Sequence, residues 1–284
     1  MTTPRTIVWL DGEIRDPDVA SLHWSDHGIT VGDGVFETIK LVDGSPFALT
    51  RHLDRLHASA RSLGLQMSDD EVRTAVDAVV HRWGAEPGRL RVTVTGGPGP
   101  MGSARGTAGP TLLVAAGALA IDRSPTDVVV SPWPRNERGA LAGVKSTSYG
   151  ENVIALALAT AAGASESLFA NTVGMLCEGT GSNVFIGMRG RLMTPPLASG
   201  CLAGVTRALL LQALAADGAP AVEEDIPMAE LRSADEVFLV STTRDVQAVR
   251  HIDGRALPDC PGPLTAHAAG VWDRAYGPST PRDP

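Results

Sequence analysis

The sequence predicts an α+β protein built from two domains. Residues 1–116 mix short apolar strands with two amphipathic helical stretches, and residues 128–276 repeat that mixture with a second set of strands and helices. Between them, residues 117–127, ending in Ser124-Pro125-Thr126-Asp127, read as a linker. A chain of 284 residues is long enough to bury a core in each half. Residues 277–284, rich in proline, serine and arginine, are expected to form a flexible tail.

Each element has a local reason. Ile7–Leu10 followed by Asp11-Gly12 and Ile14 reads as strand, turn and strand. From Val35 to Leu41 the residues alternate, with Val35, Glu37, Ile39 and Leu41 on one face and Phe36, Thr38 and Lys40 on the other. Asp43-Gly44 turns the chain back. Thr50 is placed to cap a helix whose Leu53, Leu56, Ala60 and Leu63 share a face and which ends at Gly64. A second helix over 68–83 carries Asp69, Asp70 and Glu71 in its first turn, where the helix dipole favours them. Leu90–Thr95 and Thr111–Ala116 read as paired strands around the glycine-rich loop 96–106, and a structureless loop of that length is usually functional or mobile. In the second half, strands are expected at 128–130, 167–170, 175–177, 184–187, 192–194 and 236–240. Helices are expected at about 148–163, 204–217 and 228–231.

Composition narrows the function classes. A net charge of −8 and a pI near 5.3 leave no cationic surface for nucleic acid or an anionic membrane. No stretch is long and apolar enough for a membrane span or a signal peptide. The three cysteines, Cys177, Cys201 and Cys260, are widely spaced without Cys-x-x-Cys, so neither a disulfide framework nor a metal site is expected. These features lead to the expectation of a cytoplasmic protein of enzyme size.

Lysine usage points to chemistry. Of 24 basic side chains only two, Lys40 and Lys145, are lysine. Arginine cannot deprotonate in a protein, whereas a partly desolvated lysine amine can act as a base and form an imine. That makes Lys145 a candidate Schiff-base residue, with a solvated surface lysine as the alternative. Other segments supply partners for such an amine. Ser199–Arg207 is a glycine-bearing loop opening a helix, a geometry that suits an anion. Ser241-Thr242-Thr243 ends a strand with three hydroxyls, and Arg55 sits at the edge of its helix's apolar face. Glu178 closes an apolar strand before Gly179-Thr180-Gly181, where it acts either as a loop cap or as the acceptor for a heteroaromatic N–H. An amine, a carboxylate and a phosphate cup are together what pyridoxal 5'-phosphate requires.

Several stretches then carry a resemblance over most of the chain, from about Trp9 to Gly254. They are Gly32-Asp33-Gly34-Val35-Phe36-Glu37, His52-Leu53-Asp54-Arg55-Leu56, Ala142-Gly143-Val144-Lys145-Ser146, Glu178–Phe185, Gly204-Val205-Thr206-Arg207, Ser241-Thr242-Thr243 and Ile252-Asp253-Gly254. In this order they resemble the class IV (fold-type IV) pyridoxal-phosphate enzymes. That family includes D-amino-acid and branched-chain aminotransferases, (R)-amine transaminases and aminodeoxychorismate lyases. The resemblance implies a smaller N-terminal sandwich-like domain, a larger barrel-like cofactor domain and a homodimer. It implies that Lys145 forms the imine with the cofactor and Glu178 faces the pyridine nitrogen. It further implies that Arg55, the N–H groups of Val205 and Thr206 and the Thr242 hydroxyl hold the phosphate.

Substrate choice departs from the family patterns. Where D-amino-acid aminotransferases have an Arg-Gly pair after this strand, the chain has Gly96-Gly97, and Phe36 stands where a tyrosine is usual. Arg105 or Arg138 is a candidate replacement for the carboxylate-binding guanidinium. Phe36, Thr38, Tyr149 and Thr243 are further pocket candidates, and Lys40 is either a pocket residue or a solvated strand lysine. The expected reaction is amino transfer from a D-amino acid or (R)-amine to a 2-keto acid. Aminodeoxychorismate lyase, eliminating pyruvate, is the alternative, and branched-chain aminotransferase stands third because Gly150 replaces the tyrosine of that group.

Overall fold

The structure is a computed structural model that describes residues 5–277 and 280–284. The chain forms two compact units. The first comprises residues 5–120 together with Val144–Tyr149 and Pro281–Pro284; the second comprises Ile121–Gly143, residues 150–277 and Thr280. Two segments thus fall differently from the sequence-based division. Val144–Tyr149, with Lys145, belongs to the first unit, and so does the end of the supposed flexible tail. The expected linker also shortens, because strands extend into it from both sides.

The first unit is a six-stranded sheet with helices on one face. Its elements are β1 (Thr6–Leu10), β2 (Glu13–Arg15), α1 (His27–Thr30), β3 (Gly34–Val42), β4 (Ser45–Pro46), α2 (Leu49–Leu63), α3 (Asp69–Trp83), β5 (Gly88–Thr95) and β6 (Thr111–Ala118). The strand order is β2-β1-β6-β5-β3-β4, antiparallel throughout. Period-two alternation decides the faces. Val35, Ile39, Leu41, Leu90, Val92, Val94, Val114 and Ala116 point to one side and bury against Leu53, Leu56 and Ala60 of α2 and Val72, Val76 and Val79 of α3. Phe36, Thr38 and Lys40 turn to the opposite face. In the β3–β5 register Thr38 lies across from Arg91 and Phe36 across from Thr93, so those residues share that face.

Helix α3 starts as expected, with the Ser68 hydroxyl accepting from Glu71 N and three acidic residues in the first turn. Helix α2 does not start at a Thr50 cap. It begins at Leu49, its cap position is Ala48 in the left-handed region (φ 55°), and no side chain of its own sequence caps it. Its acceptors come from residues 282–284, which are therefore docked rather than loose; residues 278 and 279 of the expected tail lie outside the described residues.

The second unit is built on a nine-stranded mixed sheet. Its elements are β7 (Thr126–Val130), α4 (Gly150–Ala161), β8 (Glu166–Ala170), β9 (Leu176–Gly179), β10 (Asn183–Met188), β11 (Arg191–Thr194), α5 (Val205–Ala216), β12 (Val222–Glu223), β13 (Glu236–Ser241), β14 (Asp245–Ile252), β15 (Arg255–Ala256) and α6 (Pro263–Tyr276), with short 3-10 turns at Leu197–Ser199 and Met228–Ser233. The order is β12-β11-β10-β13-β14-β7-β8-β9, with β15 paired to β14. The edge strand β9 runs through a tight turn, Gly179 N to Ser182 O at 2.8 Å, straight into β10 in the middle of the sheet. That return curls the sheet. Its core gathers Val128, Leu168, Leu176, Val184, Ile186, Val237, Leu239 and Val249. Helix α4 leaves an apolar surface uncovered in the single chain, with Val153 63% and Ile154 56% exposed. Among the described residues no helix is long and apolar enough to cross a membrane.

Candidate active site

In the first unit, the segment carrying Lys145 lies against the start of β3. Phe36 N donates to Lys145 O at 2.9 Å, Thr147 N donates to Gly34 O at 2.8 Å, and Val35 bridges Ser146. Ser59 Oγ on α2 accepts from Lys145 N at 3.3 Å. The two glycines of Gly32-Asp33-Gly34 allow this approach. A Cβ on Gly34 would lie 2.9 Å from Thr147 Oγ1, and one on Gly32, whose φ is 68°, would lie 2.6 Å from Ser148 Oγ. Thr147 and Ser148 hydroxyls both donate to Gly32 O. The lysine's backbone is therefore held at several points while its side chain projects.

The Lys145 amine stands over aromatic rings. Nζ is 4.3 Å from the Phe36 ring centroid and 5.7 Å from that of Tyr149, and the two rings meet edge-on at 5.2 Å. Arg91 shares the same aromatic partner, its Cζ lying 3.3 Å from the Phe36 centroid. The first unit thus brings together Lys145, Phe36, Tyr149 and Arg91. Arg91 was not among the candidates drawn from the sequence. The alternation Arg89-Leu90-Arg91-Val92 was the available signal, because it puts Arg91 on the Phe36 face. Thr38 sits half-buried opposite it on β3.

Arg55 is positioned by a buried carboxylate. Its Nε and Nη2 each donate to Glu37 at 2.7 Å, and His52 Nδ1 lies 2.7 Å from Glu37 Oε2. Burial alone would raise the Glu37 pKa, but the Arg55 guanidinium and His52 outweigh it and hold the group at about 2. Burial depresses the His52 pKa, partly offset by its bond to Glu37, so the imidazole stays neutral at pH 7. The cluster is an anion, a cation and a neutral ring. It turns Arg55 into a fixed fork.

Two expectations change here. Lys40 is not solvated: it is 5% exposed, with Nζ 4.5 Å from the Phe47 ring centroid. The aliphatic stem and the ring shield it together. Arg105 is committed elsewhere, since Nε and Nη2 donate to Asp33 at 2.6 Å each and the carbonyls of Leu63 and Gly64 accept two further bonds. It ties loop 96–106 to the end of α2 and the start of β3.

In the second unit, Glu178 closes β9. Its Oε2 accepts from Leu202 N at 2.8 Å and its Oε1 lies 3.4 Å from Arg135 Nε. Arg135, also missed in the sequence, is braced by Glu151, by Asn152 Oδ1 at 3.2 Å and by the Phe169 ring. The Leu202 contact leads directly to the start of α5. There Gly204 occupies the cap position without any side-chain cap bond, and a Cβ on it would fall 2.0 Å from Asn183 Oδ1. Val205 and Thr206 follow as the first buried helical residues. A twelve-residue helix opened this way presents N–H groups and the positive end of its dipole to an anion. Thr242 and Thr243 form the turn after β13, closed by Arg244 N to Ser241 O at 3.2 Å; the Thr243 hydroxyl is 3.4 Å from Ser241 Oγ. Arg138 stands apart, its side chain 79% exposed beside Glu137.

A lysine amine held in the first unit, and an anchored carboxylate and an uncapped helix start in the second, are the kinds of group that imine-forming group transfer requires. Comparison with known proteins makes the family specific. The model of the class IV amino-transferases matches residues 34–252, and the chain belongs to that family. Its members use pyridoxal 5'-phosphate. A D-alanine aminotransferase of Bacillus licheniformis is 31% identical over 91% of this chain and 93% of its own. A bifunctional aminodeoxychorismate lyase and D-amino acid transaminase of Mycobacterium tuberculosis is 32% identical over 90% and 94%. The solved branched-chain aminotransferase of Escherichia coli superposes with a TM-score of 0.89 at 26% identity, covering 97% of this chain and 95% of that one. The chain is an aminotransferase of this class.

Proposed function

We propose that this enzyme transfers an amino group from a D-amino acid to a 2-keto acid, with (R)-amines as secondary donors, and that it works as a homodimer. The observation that carries the donor assignment is the ring shared by Lys145 Nζ and the Arg91 guanidinium. A substrate whose amine is handled by Lys145 then has a cation within reach for its carboxylate. Among the described residues Arg91 forms no ion pair, which leaves its fork for a ligand carboxylate. Arg91 takes the role first sought in Arg105 and Arg138.

The residues fit pyridoxal phosphate. The start of α5, where Gly204 supplies no side-chain cap, suits phosphate through the Val205 and Thr206 N–H groups, with the Thr242 hydroxyl and Arg55 as further donors. Glu178, anchored by Leu202 N and Arg135, suits a protonated pyridine nitrogen. When bound, the cofactor supplies the electron sink that lets a C–H bond beside the substrate nitrogen break. Lys145 Nζ would hold the cofactor between turnovers and, once displaced by the substrate amine, would accept the proton from the substrate carbon and deliver it to the cofactor side of the C=N bond, so that the amino group stays behind. Arg91 orients the carboxylate so that this C–H bond faces Lys145. Phe36 and Tyr149 exclude water around the amine. The exposed apolar face of α4 supports the dimer, since Val153 and Ile154 are large, adjacent and uncovered in one chain.

The test is the absorption spectrum of the purified protein before and after D-alanine, then (R)-1-phenylethylamine. Loss of the visible band with growth of a near-ultraviolet band, faster with D-alanine, is the expected result. A band that neither amine discharges, with pyruvate released from aminodeoxychorismate in the absence of a keto acid, overturns it in favour of the lyase reading.

A further inference from the structure

We propose that Asp283 is a positioning residue for Arg55: it caps helix α2 from outside the helix's own sequence and so sets how firmly Arg55 meets a phosphate. This rests on the reading above that Arg55 contributes to the phosphate site.

The first turn of a helix presents N–H groups with no partner inside the helix, and a neighbouring Ser, Thr, Asp or Asn ordinarily supplies the acceptor. Helix α2 has none, because Ala48 stands at its cap position. Asp283 fills the role instead. Its Oδ1 accepts from Thr50 N at 3.0 Å, and its Oδ2 accepts from Thr50 Oγ1 at 2.5 Å. The flanking residues make the docking specific. Arg282 O accepts from Ala48 N at 2.6 Å, Pro284 O accepts from Arg51 Nε at 2.7 Å, and Arg282 Nη2 donates to Asp43 Oδ2 at 2.6 Å. A carboxylate at this end also meets the positive pole of the helix dipole.

The consequence passes along one turn. His52 sits in the turn that Asp283 caps, and its Nδ1 holds Glu37 Oε2 at 2.7 Å. The same Glu37 oxygen accepts from Arg55 Nη2. Fraying of the first turn therefore withdraws His52 from Glu37 and loosens the carboxylate that aims Arg55. Asp283 touches neither substrate nor cofactor in this scheme. It acts through Thr50, His52 and Glu37.

The experiment compares cofactor affinities of the full-length protein freed of cofactor. Tryptophan fluorescence titrations give Kd for pyridoxal phosphate and for pyridoxal, which lacks the phosphate, in wild type, D283A, D283N and R55A. D283A is expected to weaken pyridoxal phosphate by about 3- to 10-fold, the scale of a lost cap, while leaving pyridoxal unchanged. D283N, whose amide oxygen still accepts from Thr50 N, is expected to stay near wild type. An unchanged ratio of the two affinities in D283A overturns the proposal, whether both hold or both fall together. Should D283A fail to fold, Thr50→Val removes only the hydroxyl contact and is expected to shift the ratio in the same direction by about 2-fold; no shift overturns the proposal equally. R55A separates the underlying reading. If R55A leaves the ratio unchanged while D283A speeds amide exchange at Thr50 and Arg51, then Arg55 does not serve phosphate and the cap is structural only.

Discussion

Glu37 and Arg55 meet through two parallel hydrogen bonds of 2.7 Å, with the carboxylate entirely removed from solvent at the contact of β3 with α2. A buried charge pair repays its desolvation only when the geometry is good and the remaining lone pairs are satisfied. Here His52 satisfies one of them, and the guanidinium edge is fixed as a result. The pair joins the sheet that carries Phe36 to the helix that carries Ser59, so it aligns two elements around Lys145.

Glu37→Ala is therefore expected to destabilise the protein by about 3–5 kcal/mol, since it removes the buried carboxylate that pairs with Arg55 and His52. Urea unfolding monitored by circular dichroism measures this; a loss under about 1 kcal/mol would show that the pair contributes nothing.

Acid should act on the same cluster. The Glu37 pKa is lowered from 4.5 to about 2 on folding, so its contribution is complete above pH 4.5 and drains as pH falls toward 2. His52 is depressed below 6.5, so the unfolded chain takes up that proton first and stability begins to decline as pH drops below 6.5. Thermal melts from pH 8 to 3.5 should show a falling Tm that starts near pH 6.5. In Glu37→Gln the decline below pH 4.5 should be shallower, and identical profiles would remove Glu37 as its source.

Arg91→Met is expected to lower kcat/KM for D-alanine by about 10- to 100-fold, the value of a charge-assisted hydrogen bond, and to leave (R)-1-phenylethylamine nearly untouched. Equal losses with both donors would assign Arg91 to packing against Phe36 rather than to the carboxylate.

Lys145→Ala is expected to abolish the visible band and to reduce turnover by at least about 10²–10⁴-fold. Borohydride treatment followed by mass spectrometry should fix the cofactor mass on wild type at Lys145 and not on the variant. Retention of that mass elsewhere would relocate the reactive amine.

The cysteines offer an inexpensive check on the packing. Burial pushes the Cys177 thiol far up and raises the buried Cys201 thiol, whereas Cys260, also raised, is only half-buried. Native protein should release about one equivalent of thiol to Ellman's reagent and three after denaturation. Rapid native reaction of all three would contradict the buried environment beside Glu178.

Much of this protein was readable along the chain, and the reason is local geometry. Two-residue alternation set the faces of β3 and β5 before any contact was known, and it put Val35 and Ile39 in the core and Phe36 opposite. Helical periodicity predicted α2 and α3, and the scarcity of lysine singled out Lys145. Glu178 and the glycine-bearing segment Ser199–Arg207 stood out by residue type alone, whereas the roles expected of Val205 and Thr206 came only with the family resemblance.

Tertiary structure decided what depends on partners remote in sequence. Arg105 reads as a free guanidinium until Asp33 and the end of α2 are brought to it, and Lys40 reads as solvated until Phe47 folds over it. Thr50 reads as a cap, yet Asp283 supplies the acceptor from 233 residues away. The stretch 144–149 joins the first unit because Ser146 bridges Val35. Backbone periodicity is a property of neighbouring residues and is written in the chain. The choice of partner for a charge or a helix end follows loop closure and burial, which exist only once the chain is folded.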